Sequence, residues 1–343
     1  MALWGAGMIS MAHAAACRHL GWPVVAVASR STARTEERAR ELGAAPATFD
    51  SLRHHSAADT VIVSTPPQCH ADDALRLLDS GYAVLLEKPL CRTLGEADAL
   101  VTATERPGRR LLYAENLAYA PIIVAMLQQL PDLGRLTHLE CRSLQGLPTW
   151  GDFTSDAWGG GALFDLGVHP IAVVLLAASA GGAGAPISVR CSLRGAADGS
   201  HGSDEHAELT LTFESGLEAT VVSSWQGGPG QVWDAQAASP SGVVRAELFP
   251  QVLLERDGDP VALPRVTANP PLIEQLGYVG QLRALQASMD NGRGPMSDAR
   301  FGRDVLDVVC GAYTSAGRGS AAVPLPFAGP RDRTPLELWR AGG

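Results

Sequence analysis

Apolar residues come in short, continuous runs through the first third of the chain. ALW (2–4), VVAVA (24–28), TVIVST (60–65), AVLLE (83–87) and RRLLYAE (109–115) are runs rather than alternations. Such runs predict strands buried on both faces. Between them lie stretches of helical spacing that stop at Gly21, Gly43 and Gly81. HADDALRLLDSG (70–81) carries acids in its first turn, and Thr93 with Glu96 forms a Thr-x-x-Glu capping box for the next helix. Regular strand–helix alternation predicts a doubly wound parallel sheet.

The pattern then changes. A helix over 121–130 leads to a strand over 136–144, a Gly/Trp-rich loop over 146–161 and a strong helix over 162–179. Alternating runs follow at 187–195, 206–225, 242–248 and 251–263, with Ser-Gly and Asp-Gly turns that join neighbours as hairpins. Two helices, 273–292 and 299–317, precede a Pro-rich tail. The expectation is an α/β chain: a dinucleotide-binding domain over 1–118, an α/β domain on a large, mainly antiparallel open sheet over 119–327, and a tail over 328–343.

Composition narrows the function classes. An apolar content of 46% with 18% charged residues describes a globular chain with a sizeable core. A net charge of −9 argues against nucleic acid and anionic membrane as partners. The longest apolar stretch, IAVVLLAASA (171–180), has the length of a buried helix, and the N-terminus lacks a signal-peptide pattern. Six scattered cysteines without a Cys-x-x-Cys pair fit reduced thiols in a cytoplasm and offer no zinc pattern. His54 and His55 read as a solvated loop. The short first strand raises the question of a natural start upstream of Met1.

Against this background one residue stands out. Of 27 Lys plus Arg, Lys88 is the only lysine. It follows a buried strand, in Glu87-Lys88-Pro89, and so points toward the carboxyl ends of the strands, where open α/β sheets bind ligands. Lysine is a compact point charge, arginine a planar fork. Glu87 either anchors this turn or partners the lysine. Gly5, Gly7 and Ser10 occupy the frame of a G-x-G-x-x-G turn between a strand and a helix, with Met8 and Ile9 at the helix start. There the backbone receives a pyrophosphate. The second strand ends in Ser29, Arg30 and Ser31, with Arg34 nearby, and carries no carboxylate for ribose hydroxyls. Hydroxyls and arginines suit a 2′-phosphate, so NADP is expected over NAD. An Arg30 that only stacks on adenine would leave NAD open. Thr65, Pro66 and Pro67 end a central strand on the nicotinamide side. His70 is either a further contact there or simply a helix-start residue. Asp165 and His169, four apart, share one face of a predicted helix and can hold or move a proton. A structural pair is the plain alternative.

Taken in order, GAGMIS, STPPQCH, EKPL, AENLAY and GGGALFDLGVHPI resemble the Gfo/Idh/MocA oxidoreductases, the family of glucose–fructose oxidoreductase and inositol dehydrogenase. The likeness covers about residues 3 to 327, and DVLDVVCGAYTSAGRGSAAVPLP resembles that family's last helix and strand. Ser10 and the missing acid after the second strand depart from the pattern. The resemblance implies a Rossmann domain followed by an open-sheet domain that often forms homodimers or homotetramers. It also implies that Lys88, Asp165 and His169 occupy catalytic positions.

The expected chemistry is hydride transfer between nicotinamide and a CH–OH or C=O group of a sugar, cyclitol or related small molecule. Lys88 binds the reacting oxygen and His169 is the acid/base. Asp165 orients His169 or holds a neighbouring hydroxyl. Asn116, Tyr119, Trp150, Asp156 and Trp158 are candidates to line the substrate crevice, although loop aromatics also serve plain packing. No metal is implied. The alternatives are an NAD-dependent glycoside hydrolase of the same fold, a non-catalytic nucleotide- or sugar-sensing regulator, and a reductase of a non-sugar ring.

Overall fold

The computed structural model describes residues 1–52, 58–228, 230–292 and 294–342, so His54 and His55 lie outside the described residues. The first sheet is parallel. Its strands are β1 (Ala2–Trp4), β2 (Ala26–Ala28), β3 (Ala45–Ala47), β4 (Thr60–Val63), β5 (Ala83–Glu87) and β6 (Leu111–Ala114), in the order β3-β2-β1-β4-β5-β6. Leu3 pairs with Val27 on one side and Ile62 on the other, and all three are fully buried. This is why these strands read as unbroken apolar runs. The strand the sequence did not announce is β3. Its Ala-Pro-Ala is mostly exposed at the sheet edge, where proline costs no ladder hydrogen bond.

The second sheet is mixed. It contains β7 (His138–Leu144), β8 (Pro186–Gly195), β9 (Asp204–Phe213), β10 (Glu218–Ser224), β11 (Val232–Ser239), β12 (Gly242–Phe249), β13 (Leu253–Arg256), β14 (Asp259–Pro260) and β15 (Val323–Pro324), in the order β14-β13-β12-β11-β7-β10-β9-β8-β15. Every pairing is antiparallel except β7 with β10. Burial alternates strictly along β7, as expected of a sheet covered on one face. Helix Val168–Ala180 packs on β7 and β10 and is buried over most of its length.

Three expectations change. The helix predicted over 162–179 is two helices, Ala162–Asp165 and Val168–Ala180. The amide of Gly167 bonds back to Ala162 O at 3.0 Å, and that of His169 only three residues back, to Leu166 O, at 3.3 Å. Asp165 and His169 therefore do not lie on one regular helix.

The chain also divides differently from the expected 1–118 and 119–327. One compact unit comprises Met1–Cys91, Gly95–Ala120 and Arg265–Arg303; the other comprises Arg92–Leu94, Pro121–Pro264 and Asp304–Gly343. The reason is burial. Helix Tyr278–Asn291 places Val279, Leu282 and Leu285 in the same core as Leu3, Ile62 and Leu85.

Finally, the segment 328–343 is more than a tail. It carries the helix Pro335–Ala341, started by a Thr334/Glu337 capping box and anchored by buried Leu336 and Leu338.

Candidate active site

The turn after β1 explains its glycines. Gly5 has φ +125°, and a Cβ there would sit 2.6 Å from Ser64 O on the next strand. At Gly7 a Cβ would meet nothing within 4 Å, so the space above that backbone is open. Ser10, the departure from the glycine frame, is fully buried and turns its hydroxyl back to donate to Gly7 O at 2.6 Å. A serine is tolerated because its one polar atom is satisfied within the turn. Helix Ile9–His19 starts immediately after, with Met8 at its N-cap and 56% exposed. An open Gly7 backbone at a helix N-terminus fits a dinucleotide pyrophosphate. Arg38, from the next helix, reaches Ala6 O of the same turn at 3.5 Å.

Beyond β2, Ser31 caps helix Thr32–Leu42, accepting from the amide of Arg34. Ser29 Oγ lies 2.8 Å from Thr35 Oγ1 and accepts the amide of Ser31. Arg30 and Arg34 are exposed. Local hydrogen bonds thus hold the serines in place and leave the guanidinium groups at the surface.

The ends of β4 and β5 are joined by His70. Its two ring nitrogens lie 2.7 Å from Pro89 O and 2.7 Å from Thr65 O. The side chain is buried, and burial pushes the imidazole pKa down against the two carbonyls, Glu87 and Asp73. A neutral ring donates from one nitrogen at a time. Thr65 Oγ1 donates to Asp73 at 2.8 Å, while Pro66 and Pro67 open helix Pro67–Asp79. His70 is therefore a tie between two loops rather than a group turned outward.

Glu87 is likewise engaged. Its Oε1 lies 2.7 Å from His13 Nε2, and its Oε2 accepts the amide of Lys88 at 3.0 Å. Burial opposes its charge, but the His13 hydrogen bond and the Coulomb attraction of His13 and Lys88 hold the carboxyl below its ordinary range. Glu87 anchors the turn, so its side chain is not available as a direct cofactor ligand. The Lys88–Pro89 peptide is cis.

In the other unit, the triple glycine packs where side chains cannot. A Cβ on Gly160 would lie 2.1 Å from Phe164, and one on Gly161 2.2 Å from Asp204 O. Asp204, fully buried, caps the short helix from a distant strand: its Oδ2 accepts the amide of Leu163 at 2.8 Å. Tyr313 donates its hydroxyl to Asp204 Oδ1 and accepts the amide of Gly161 at 2.9 Å. Burial pushes the Asp204 carboxyl up to about 6, against those hydrogen bonds. This network holds the segment that ends in Asp165, which is buried, and continues to His169, which is half-buried.

The expected substrate residues divide. Asn116 donates to Leu276 O at 2.6 Å, and Tyr119 Oη lies 3.0 Å from Ser297 Oγ and accepts the Ser297 amide. Both tie segment 265–303 to its unit through these atoms. Asp156 forms a two-pronged bond with Arg340, both arms 2.8 Å, so its carboxylate is already taken. Trp158 stacks edge-on against Phe153 with centroids 4.5 Å apart; Trp150 does so at 4.7 Å and is 46% exposed. Among the described residues, no group of three or more His, Cys, Asp or Glu is arranged to hold a metal ion. No helix among them is long and apolar enough to cross a membrane.

Sequence reasoning missed His13, Asp204 and Tyr313. His13 had a signal, a histidine on the inward face of an otherwise alanine-rich helix. Asp204 and Tyr313 had none, since their role exists only once strand, helix and glycine turn meet.

A glycine turn on a parallel sheet, with strand ends presenting Thr65, Pro66 and Lys88, defines a dinucleotide-binding protein. Comparison with known proteins specifies it further. Residues 1–115 match the oxidoreductase family with an NAD-binding Rossmann fold, and residues 127–242 match the GFO/IDH/MocA C-terminal domain. The chain belongs to the Gfo/Idh/MocA family of oxidoreductases. It is 30% identical to the uncharacterized oxidoreductase ORF334 of Rhizobium meliloti, over 60% of this chain and 61% of that protein, which is less than two thirds of either. It is 27% identical to D-apiose dehydrogenase of Paraburkholderia graminis, over 93% of this chain and 88% of the relative. The crystal structure of GenD2 from gentamicin A biosynthesis, in complex with NAD, has the same fold: TM-score 0.82 at 24% identity, covering 94% of this chain and 95% of that one.

Proposed function

We propose that the protein is an NAD(P)-dependent dehydrogenase or reductase acting on a CH–OH or C=O group of a polyhydroxylated small molecule. The observation that carries this reading is the open Gly7 backbone beside a Gly5 that tolerates no side chain, at the same carboxyl end of the parallel sheet as the Lys88 turn. Gly5, Gly7, Met8 and Ile9 would seat the pyrophosphate, with Thr65, Pro66 and Pro67 toward the nicotinamide. Ser29, Arg30, Ser31 and Arg34 favour the 2′-phosphate of NADP, because hydroxyls and guanidinium groups complement phosphate and no carboxylate opposes it. When bound, the nicotinamide supplies the hydride acceptor or donor.

The chain's own groups supply position and protons. Lys88 donates to the reacting oxygen and stabilises its negative charge. His169 takes the hydroxyl proton in oxidation and returns it in reduction. Asp165 orients His169 or holds a neighbouring hydroxyl. Trp150 and Trp158 offer apolar faces of the kind that sugar rings stack on. A relative that covers most of the chain is named D-apiose dehydrogenase, which supports a sugar or cyclitol as substrate. Assembly as a homodimer or homotetramer through the exposed face of the nine-stranded sheet belongs to the same reading.

The test is calorimetric titration with NADPH and NADH, then turnover on D-apiose, D-xylose and scyllo-inositol, for the natural protein and Lys88→Arg. NADPH binds more tightly than NADH. Lys88→Arg keeps that binding and loses turnover by about a hundredfold or more. Failure of both nucleotides to bind overturns the reading.

A further inference from the structure

His13 lies on the helix whose first turn would seat the dinucleotide, yet it faces away from that turn and into the core. Its side chain is fully buried, and its one polar contact among the described residues is Glu87 Oε1 at 2.7 Å. His13 Nδ1 is buried without a hydrogen-bond partner among the described residues. A carboxylate only accepts, so Nε2 donates in this contact. The other carboxylate oxygen accepts the Lys88 amide. A continuous chain thus runs from cofactor helix to imidazole, to carboxylate, to the backbone of the only lysine.

We propose that His13 is a positioning residue for Lys88, acting through Glu87. The carboxylate is a strut with two duties: it fixes the Lys88 backbone, and it sets a negative charge beside the Lys88 side chain. Neither duty survives without His13. A carboxyl buried this deeply loses its charge or its orientation once its only side-chain hydrogen-bond donor among the described residues is removed. Tyr113 and Tyr278 lie near both Glu87 and Glu115, and burial together with these two charges pushes their hydroxyls up, so they stay neutral. His13 and Lys88 remain the two basic groups acting on Glu87. Tyr278 meets the His13 ring edge-on, with centroids 5.3 Å apart, and fixes its plane. The helix that receives the cofactor and the turn that presents the lysine are therefore held by one rigid link. This inference rests on the reading of Lys88 as the group that meets the reacting oxygen.

The test uses the fact that the chain has one ε-amine. The intact protein is treated with trinitrobenzenesulfonate at fixed pH, and modification of Lys88 is followed by peptide mass spectrometry, which separates it from the terminal amine. Variants are His13→Leu, His13→Gln, Glu87→Gln and Lys88→Arg. NADPH affinity and turnover on D-xylose and scyllo-inositol are measured alongside. In His13→Leu and Glu87→Gln, Lys88 is modified several-fold faster, because the neighbouring charge that favours its ammonium form is gone. NADPH affinity holds, and kcat falls by about tenfold or more with KM little changed. His13→Gln, which keeps a donor to Glu87, restores most of both. Should His13→Leu fail to fold, His13→Asn, whose shorter side chain does not reach Glu87, takes its place. Unchanged modification rate in Glu87→Gln or in folded His13→Leu overturns the proposal, and this arm needs no substrate. If modification changes as expected but Lys88→Arg retains full turnover, the strut stands and the catalytic reading of Lys88 falls.

Discussion

The Lys88 turn and the Asp165–His169 segment are held by different physical means. The Lys88 turn is tied by polar side chains, with His70 reaching two carbonyls and Glu87 placed between His13 and the Lys88 amide. The Asp165–His169 segment is held first by close packing. Gly160, Gly161 and Gly167 each sit where a Cβ would lie between 2.1 and 2.5 Å from a neighbouring atom. Only then do Asp204 and Tyr313 satisfy the first amides of the short helix. A polar tie can be tuned by one proton or one isosteric substitution. A glycine contact is all or nothing, because steric overlap of that depth has no small adjustment.

The largest expected effect follows from that contrast. Gly161→Ala forces a Cβ onto the Asp204 backbone, which must move the helix start. The loss is about 3 kcal/mol of stability, together with most of the activity, read from urea unfolding and turnover. A milder outcome, below about 1 kcal/mol, would mean that the segment relaxes easily and that the two regions are held alike.

Asp204 sharpens the comparison through pH. Burial raises its carboxyl from 3.8 to about 6, so the folded protein binds this proton more tightly than the unfolded chain. Its contribution to stability is fully present below about pH 3.8 and is lost as pH rises through about 6. That shift corresponds to about 3 kcal/mol. Asp204→Asn removes the dependence. The difference in stability between variant and natural protein therefore grows in the variant's favour from pH 4 to pH 7, read as urea midpoints at each pH. A flat difference would show that the Asp204 carboxyl is not perturbed.

The smallest effect is at the surface. Arg340 pairs with an Asp156 side chain that is 66% exposed. Arg340→Ala costs about 0.5 kcal/mol in thermal unfolding, since exposed pairs are screened by water and salt. A markedly greater loss would make the 335–341 helix a third holding device beside the other two.

Much of this protein was legible from its residues. The buried strands of the parallel sheet read correctly because burial on both faces leaves continuous apolar runs. The β9–β10 and β13–β14 hairpins read correctly because Gly216 and Gly258, with φ +84° and +88°, sit at their turns, whereas β11 (Val232–Ser239) went unread. The Gly5-x-Gly7 frame and the Glu-Lys-Pro and Asp-x-x-x-His spacings marked the family, since local chemistry needs those residue types in order.

What the sequence left open is long-range. No local pattern tells helix Tyr278–Asn291 to join the core of the first sheet, because an apolar face does not name its partner. At the break, Gly167 packs where a Cβ would lie 2.5 Å from Leu163 O and 2.9 Å from Ser223 Oγ, contacts that no local pattern announces. Asn116, Tyr119 and Asp156 look like ligands for a sugar in one dimension and are taken up by Leu276, Ser297 and Arg340 in three. A polar side chain advertises that it can hydrogen-bond, but only the assembled fold supplies its partner. The sequence alone therefore determined most of the strands and turns and the motifs that mark the family. Tertiary structure decided which polar residues remain for a substrate and which, like His13, Asp204 and Tyr313, hold the others in place.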